Sequence, residues 1–212
     1  MIGQEPSTGQ TRRRQAADER QAARRRDIVD ASAGLFQSRG YYATTVGDIA
    51  DQVGMSKPAI YHYFRSKEEI LVYIHEMIAQ RLLDDHQRVR AERPDPVERL
   101  RALCESFFAV MTDLQPHVRT FFSFFGEIEG SNREQIESRR RELSDMVEGV
   151  VSECIASGRF RDVDPRLAML VITGVFNWAP NWYHPGGPTS GPELADFIFE
   201  IFLNGLRAPG AT

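Results

Sequence analysis

The stretch that decides the fold is Thr44-Thr45-Val46-Gly47-Asp48-Ile49-Ala50, running on through Val53-Gly54-Met55-Ser56, Ala59-Ile60-Tyr61-His62-Tyr63-Phe64 and Ser66-Lys67-Glu68. Thr44 or Thr45 is placed to cap a short helix through Val46, Ile49, Ala50 and Val53, because a hydroxyl there accepts from backbone N–H groups that lack helical partners. Gly54-Met55-Ser56 breaks that helix, and Gly54 takes the positive φ that a tight turn asks for. Ser56 then caps a second short helix, with Pro58 tolerated in its first turn, ending near Tyr63-Phe64-Arg65. Two short helices across a glycine turn make a helix-turn-helix. Ile49, Ala50, Val53, Ile60 and Phe64 are its expected core, joined by Tyr63. Lys57, Ala59, Tyr61 and His62 face outward, on a helix narrow enough for a DNA major groove about 12 Å wide.

Working outward, Ile28, Ala31, Leu35 and Phe36 share one face of a preceding helix that Gly40 ends as a left-handed cap. Residues 1–18 are polar, carry Arg12-Arg13-Arg14, and read as a disordered basic arm. Downstream, Ser66-Lys67-Glu68-Glu69 has the capping-box order that starts a longer helix reaching Val89 or beyond. The domain division that follows is a helix-turn-helix unit over 19–67 and a larger unit over 68–212.

Charge agrees with that division. The 212-residue chain has a formal net charge of −4, yet residues 10–67 hold eleven Lys and Arg against six Asp and Glu, while residues 68–212 hold fifteen against twenty-three. A basic head on an acidic body is the distribution of a polyanion binder. Arginine outnumbers lysine twenty-four to two, which reflects composition more than function. Two cysteines, Cys104 and Cys154, exclude a disulfide scaffold and offer no zinc spacing; they read as small buried hydrophobes. The start of the chain lacks a secretory pattern, and the longest apolar run, Leu167 to Phe176, is too short for a bilayer. The expectation is a cytoplasmic protein that needs no cofactor or metal and has no membrane segment.

The larger unit also carries a helical period. Val97, Leu100, Leu103, Cys104, Phe107, Phe108 and Met111 follow a three-four rhythm. Pro116 opens a helix through Phe121-Phe122-Ser123-Phe124-Phe125. Met146, Val147, Val150, Val151, Cys154 and Ile155 line another, closed by Gly158. Asp164 caps a segment through Leu167, Leu170, Gly174 and Trp178, and a last helix holds Phe197, Ile201, Phe202 and Leu206. No alternating β-branched run is long enough for a sheet. The fold class is all-α, with about nine helices in all.

From Arg24 to Leu71 the sequence resembles the tetracycline-repressor (TetR) family of bacterial transcription regulators, most specifically in Tyr61-His62-Tyr63-Phe64 followed by Ser66-Lys67-Glu68. The resemblance implies a homodimer with N-terminal DNA-binding heads and C-terminal bodies that bind a ligand, dimerise and release operator DNA when the ligand binds. By the same resemblance Thr45, Tyr61 and Lys67 are candidate DNA-backbone contacts, Ser56, Lys57, Ala59 and His62 candidate recognition-helix contacts, and Thr44 a further DNA-binding candidate. The Arg12 to Arg26 cluster is either a DNA-tracking arm or a solvated tail.

In the body, Phe107, Phe108, Met111, Phe121, Phe122, Phe125 and Trp178 are candidates to line a cavity for a small lipophilic effector. The string Phe176-Asn177-Trp178-Ala179-Pro180-Asn181-Trp182-Tyr183-His184-Pro185-Gly186-Gly187 resembles TetR-like regulators of fatty-acid and steroid breakdown that respond to acyl-CoA thioesters. It adds Asn177, Asn181 and Trp182 to the ligand candidates. Asn181 and His184 stand where such regulators often place arginines, which weakens CoA itself more than a lipophilic acyl or steroid ligand. Trp178 and Trp182 are four apart, with Pro180 set to kink the helix between them. Leu167, Leu170, Gly174, Phe197, Ile201, Phe202 and Gly205 are candidates for a four-helix dimer interface. A multidrug-sensing repressor of an efflux pump is the alternative: acidic residues such as Glu105, Glu127 or Glu129 facing the cavity would favour cationic drugs, and an apolar wall with a basic mouth would favour acyl-CoA. A helical enzyme is a remoter alternative, because no nucleophile elbow, phosphate loop or metal box is present.

Overall fold

The computed structural model describes residues 8–207, with side chains from residue 14. Its described residues form nine α-helices and two 3-10 turns, with no β-strand beyond an isolated bridge between Phe160 and Arg207. The fold is all-α. The chain divides into two compact units, Met1–Ile70 and Leu71–Thr212.

The first unit contains α1 (Thr8–Arg39), α2 (Val46–Gln52), α3 (Lys57–Tyr61) and the first residues of α4 (Lys67–Glu92). Helix α1 starts well before the expected boundary, so residues 8–18 are helical and not a disordered arm; residues 1–7 of that arm lie outside the described residues. The reason is propensity: Ala, Arg, Gln and Glu dominate residues 12–26 and are strong helix formers whatever their charge. Gly40 ends α1 at φ +88°, and its N–H donates to the Phe36 carbonyl at 3.0 Å. Ile28, Val29, Ala33 and Phe36 of α1 are buried with Ile49 and Ala50 of α2 and with Ile60 and Phe64. Ala31, Val53 and Tyr63, expected inside, are only half-buried.

The second unit holds the rest of α4 with α5 (Pro96–Asp113), α6 (Gln115–Ser123), α7 (Gly130–Ala156), α8 (Pro165–Trp178) and α9 (Gly191–Leu206). Helix α5 packs on α7 and α9, and α7 packs on α8. Asp95 caps α5 and Asp164 caps α8, each ahead of a proline whose missing N–H costs nothing there. Phe108, Phe160, Phe199 and Leu100 are fully buried, each worth about 1.5–3 kcal/mol in apolar burial. The aromatic string folds differently from a kinked helix: α8 ends at Trp178, and Pro180 sits buried in a 3-10 turn, Ala179–Asn181. Proline cannot continue the hydrogen-bond ladder, so Trp178 and Trp182 do not share one helix.

Two tight polar anchors hold this unit. Tyr183 is buried, its ring edge-on to Phe108 at 5.5 Å and its hydroxyl 3.0 Å from Thr112 Oγ1. Asp85 is buried and accepts from Arg81, Arg88 and the Ser106 hydroxyl, whose bonds together pull its pKa below the ordinary carboxylate value against the upward push of burial. Cys104 and Cys154 are buried free thiols, each pushed up to about 12 by desolvation.

Candidate DNA-reading head and effector cavity

In the head, Thr45 is the N-cap of α2. Its N–H and hydroxyl donate to Asp48 Oδ2 at 2.7 and 2.6 Å, and the Asp48 N–H returns a bond to Thr45 Oγ1 at 3.1 Å. This capping box holds the Asp48 carboxyl below its ordinary range, with Arg39 at 3.3 Å adding to the effect. Gly54 makes the turn at φ +65°, and Ser56 caps α3 by accepting from the Ala59 N–H at 3.4 Å. The recognition helix is thus one short piece, with His62 as its C-cap instead of an interior residue.

Ser56, Lys57 and His62 are exposed, Tyr61 is 46% exposed, and Ala59 is half-buried. These side chains occupy one outward surface. Tyr42, 79% exposed in the α1–α2 loop, is a feature that the sequence reading missed; a large aromatic between a helix-ending glycine and a threonine cap is the available signal.

Two DNA-contact candidates have other work. Thr44 is fully buried, and its hydroxyl donates to the Gly40 carbonyl at 2.8 Å, so its side chain cannot meet DNA. Lys67 turns its ammonium inward, donating to the carbonyl oxygens of Tyr41 and Thr44 at 2.5 and 2.8 Å and lying 4.2 Å from the Tyr41 ring centroid. The loop before α2 leaves carbonyls that no helix satisfies, and the lysine supplies their donors. Thr45 is exposed, with its hydroxyl committed to the capping box.

The body contains a cavity of about 150 Å³ between α4, α5, α6, α7 and α8. Among the residues expected to line it, Phe107, Met111, Phe121, Phe122 and Asn177 do so. Phe108, Phe125, Trp178, Asn181 and Trp182 do not. Phe108 is spent in core packing against Phe176 and Tyr183. Phe125 falls after α6 has ended, under the guanidinium groups of Arg133 and Arg140. Trp178, 65% exposed, lies on the outer face of α8; Asn181 and Trp182 are exposed beyond its end, where the 3-10 turn redirects the chain.

The sequence reading missed Ile78 and Leu82 of α4 and the whole α7 wall, including Arg140, Leu143 and Val147. The first four turns of α7 hold one fully buried residue, Ile136, too sparse an apolar pattern to mark a helix start. Arg140 is the one charged side chain of the lining; Glu105, Glu127 and Glu129 are not part of it. Beside the cavity, His75 is buried, donates or accepts through Nδ1 at 2.8 Å from the Leu71 carbonyl, and stacks on Phe121 at 4.5 Å; desolvation lowers its pKa to about 4, so it is neutral.

On the outside of the body, Leu167, Leu170, Val171 and Trp178 of α8 and Phe197 and Ile201 of α9 are all more than half exposed. Gly174 and Gly205, on the same two helices, have nothing near their Cβ positions. Phe202 is half-buried, flooring a groove that Leu167, Val171 and Ile201 border. Among the described residues no group of His, Cys, Asp and Glu is arranged to hold a metal ion, and no helix is long and apolar enough to cross a membrane.

A capped helix-turn-helix followed by an all-helical second unit defines the class as a helix-turn-helix DNA-binding transcription regulator. Two family models match the chain: residues 28–74 match "Bacterial regulatory proteins, tetR family", and residues 93–206 match "Tetracyclin repressor-like, C-terminal domain". The chain belongs to the TetR family of DNA-binding transcriptional regulators. It is 28% identical over 187 residues to the HTH-type transcriptional repressor KstR2 of Mycolicibacterium smegmatis, covering 87% of this chain and 91% of that one. The TetR-family regulator PfmR from Thermus thermophilus superposes with a TM-score of 0.79 at 31% identity, over 85% of this chain and 98% of that one. AibR, solved in complex with isovaleryl coenzyme A and operator DNA, superposes with a TM-score of 0.74 at 26% identity, over 88% and 99% of the two chains.

Proposed function

We propose that the protein is a ligand-released repressor that binds a palindromic operator as a homodimer and senses a lipophilic acyl effector. The observation that carries the effector class is the cavity wall: predominantly apolar, with a single charge, and that charge positive. A cationic drug would meet a half-buried guanidinium with no carboxylate in the lining, a like-charge contact that partial desolvation makes unfavourable. An acyl chain with an oxygen-bearing head meets complementary chemistry. The AibR complex with isovaleryl coenzyme A supports the acyl effector, and the similarity to the repressor KstR2 supports repression.

Dimerisation is supported by the α8 and α9 faces. A monomer would expose Leu167, Leu170, Val171, Trp178, Phe197 and Ile201, of which Leu167, Val171 and Ile201 border one groove, and clustered exposed apolar side chains mark interaction surfaces. A two-fold axis through these helices buries each patch against its copy. Two heads then read successive major grooves about 34–36 Å apart.

Release follows if the effector favours a head spacing that misses those grooves. The lever we assign is α4, one unbroken helix that supplies Lys67 to the first unit and Ile78 and Leu82 to the cavity wall of the second. Linkage sets the scale at about 1–3 kcal/mol of coupling. Fluorescence anisotropy with operator DNA, repeated with added acyl-CoA thioesters and with cationic dyes, tests the proposal. Release by a thioester and not by a dye is the expected outcome; release by dyes alone would transfer the protein to the multidrug reading.

A further inference from the structure

Four polar side chains line the cavity: Arg140, Ser144, Thr173 and Asn177. Two are already used. The Ser144 hydroxyl donates to the Arg140 carbonyl at 3.0 Å, and the Thr173 hydroxyl donates to the Met169 carbonyl at 2.8 Å. Arg140 is different. Its guanidinium lies over the rings of Phe125 and Phe121, at 4.5 and 5.5 Å from their centroids, and no hydrogen bond or ion pair from it is formed among the described residues.

Its neighbours on α7 are not in that condition. Arg133 is paired with Glu137 at 3.0 Å and Arg139 with Glu142 at 2.8 Å. Glu142 is thereby taken, and Glu137, hydrogen-bonded to Arg133, attracts the Arg140 charge from nearby without bonding to it. A half-buried guanidinium held against aromatic faces leaves its N–H donors open to a planar oxygen group. Leaving those donors unmet costs free energy that a ligand oxygen recovers.

Building on the acyl-effector reading above, we propose that Arg140 is the receptor for the effector's acyl oxygen, either the carboxylate of a free acid or the thioester carbonyl of a CoA derivative. The chain attached to that oxygen is short. A cavity of about 150 Å³ is the size that holds a single six-membered hydrocarbon ring, so an acyl group of about six carbons fills it. The Asn177 amide lines the same space and is the second available donor.

The test is isothermal titration of the full chain with hexanoate, hexanoyl-CoA, S-hexyl-CoA (a thioether without the carbonyl) and 1-hexanol. The parent is expected to bind at least one acyl probe about tenfold or more tightly than its oxygen-poor counterpart, hexanoate against hexanol or thioester against thioether. Which pair shows the preference identifies the source as free acid or thioester. Arg140→Met is expected to erase that preference while keeping the binding of hexanol and S-hexyl-CoA, and Arg140→Lys to restore part of it. Circular dichroism melts of each variant separate this loss from misfolding, and a variant of unchanged melting point that keeps the full preference overturns the proposal. So does a parent that binds no acyl probe. Met111→Trp, which fills the cavity, serves the wider reading. If it leaves binding untouched, the cavity is not the effector site; if it abolishes binding while Arg140→Met changes nothing, only the role of Arg140 falls.

Discussion

The Lys67 ammonium donates to the Tyr41 carbonyl at 2.5 Å and lies 4.2 Å from the Tyr41 ring, tying the first turn of α4 to the loop that introduces α2. A lysine so placed stabilises the head and does not reach outward for phosphate.

Lys67→Met should therefore lower stability by about 1–3 kcal/mol, by removing the lysine donor to the Thr44 carbonyl and leaving the Tyr41 carbonyl only the Thr44 N–H at 3.3 Å. It should weaken operator binding without changing the slope of log affinity against log salt. Lys57→Met should leave stability nearly unchanged, because Lys57 is exposed, and on the proposal that Lys57 contacts DNA it should reduce that slope by about one. A salt titration of both variants against the parent checks the pair.

His75 sets an acid limit. Desolvation by burial lowers its pKa from 6.5 to about 4, so between those values the unfolded chain binds a proton that the folded chain refuses. Stability from this group is intact above pH 6.5 and is lost as pH falls towards 4, by up to about 3 kcal/mol. His75→Phe keeps an aromatic ring against Phe121 and removes the titration. Urea melts at about pH 7 and about pH 4.5 should show a smaller acid loss in the variant.

Gly191 sits where a side chain would crowd its neighbours. A Cβ there would stand 3.0 Å from Thr112 Oγ1 and 3.1 Å from the Tyr183 hydroxyl. Gly191→Ala should cost about 1–3 kcal/mol, a fall of several degrees in melting temperature for a chain of this size. Tyr183→Phe removes one of the two obstructing oxygens, so the double variant should be less destabilised than the sum of the single ones.

The exposed α8 and α9 faces predict an interface that one charge can break. Leu170→Glu or Phe197→Glu should convert a dimer into a monomer at micromolar concentration, seen by sedimentation velocity, while helical content is retained.

What was legible in the sequence follows from which physical signals are local. The head was readable because caps, turns and a short apolar core depend on adjacent residues: Thr45, Gly54, Ser56 and Phe64 stand where expected. The direction of a long polar side chain is not local. Lys67 and Thr44 turn inward to serve carbonyls that only the folded loop leaves unmet. The cavity was half readable. Phe107, Met111, Phe121, Phe122 and Asn177 lie on it, whereas Trp178, Asn181 and Trp182 were misplaced because Pro180 ends the helix instead of bending it. Arg140 was hidden because the first half of α7 is too polar to look like part of a core.

The central claim is that two copies of the head are held by their bodies at the spacing of successive major grooves. Its most direct measurement is the stoichiometry and spacing dependence of binding to a palindromic operator, by mass photometry and anisotropy on duplexes whose half-sites are moved apart in single base pairs. The account predicts two chains per site, affinity that falls sharply when half a helical turn is inserted, and loss of binding in Tyr61→Ala with dimerisation intact. One chain per site, or affinity indifferent to half-site spacing, would contradict it.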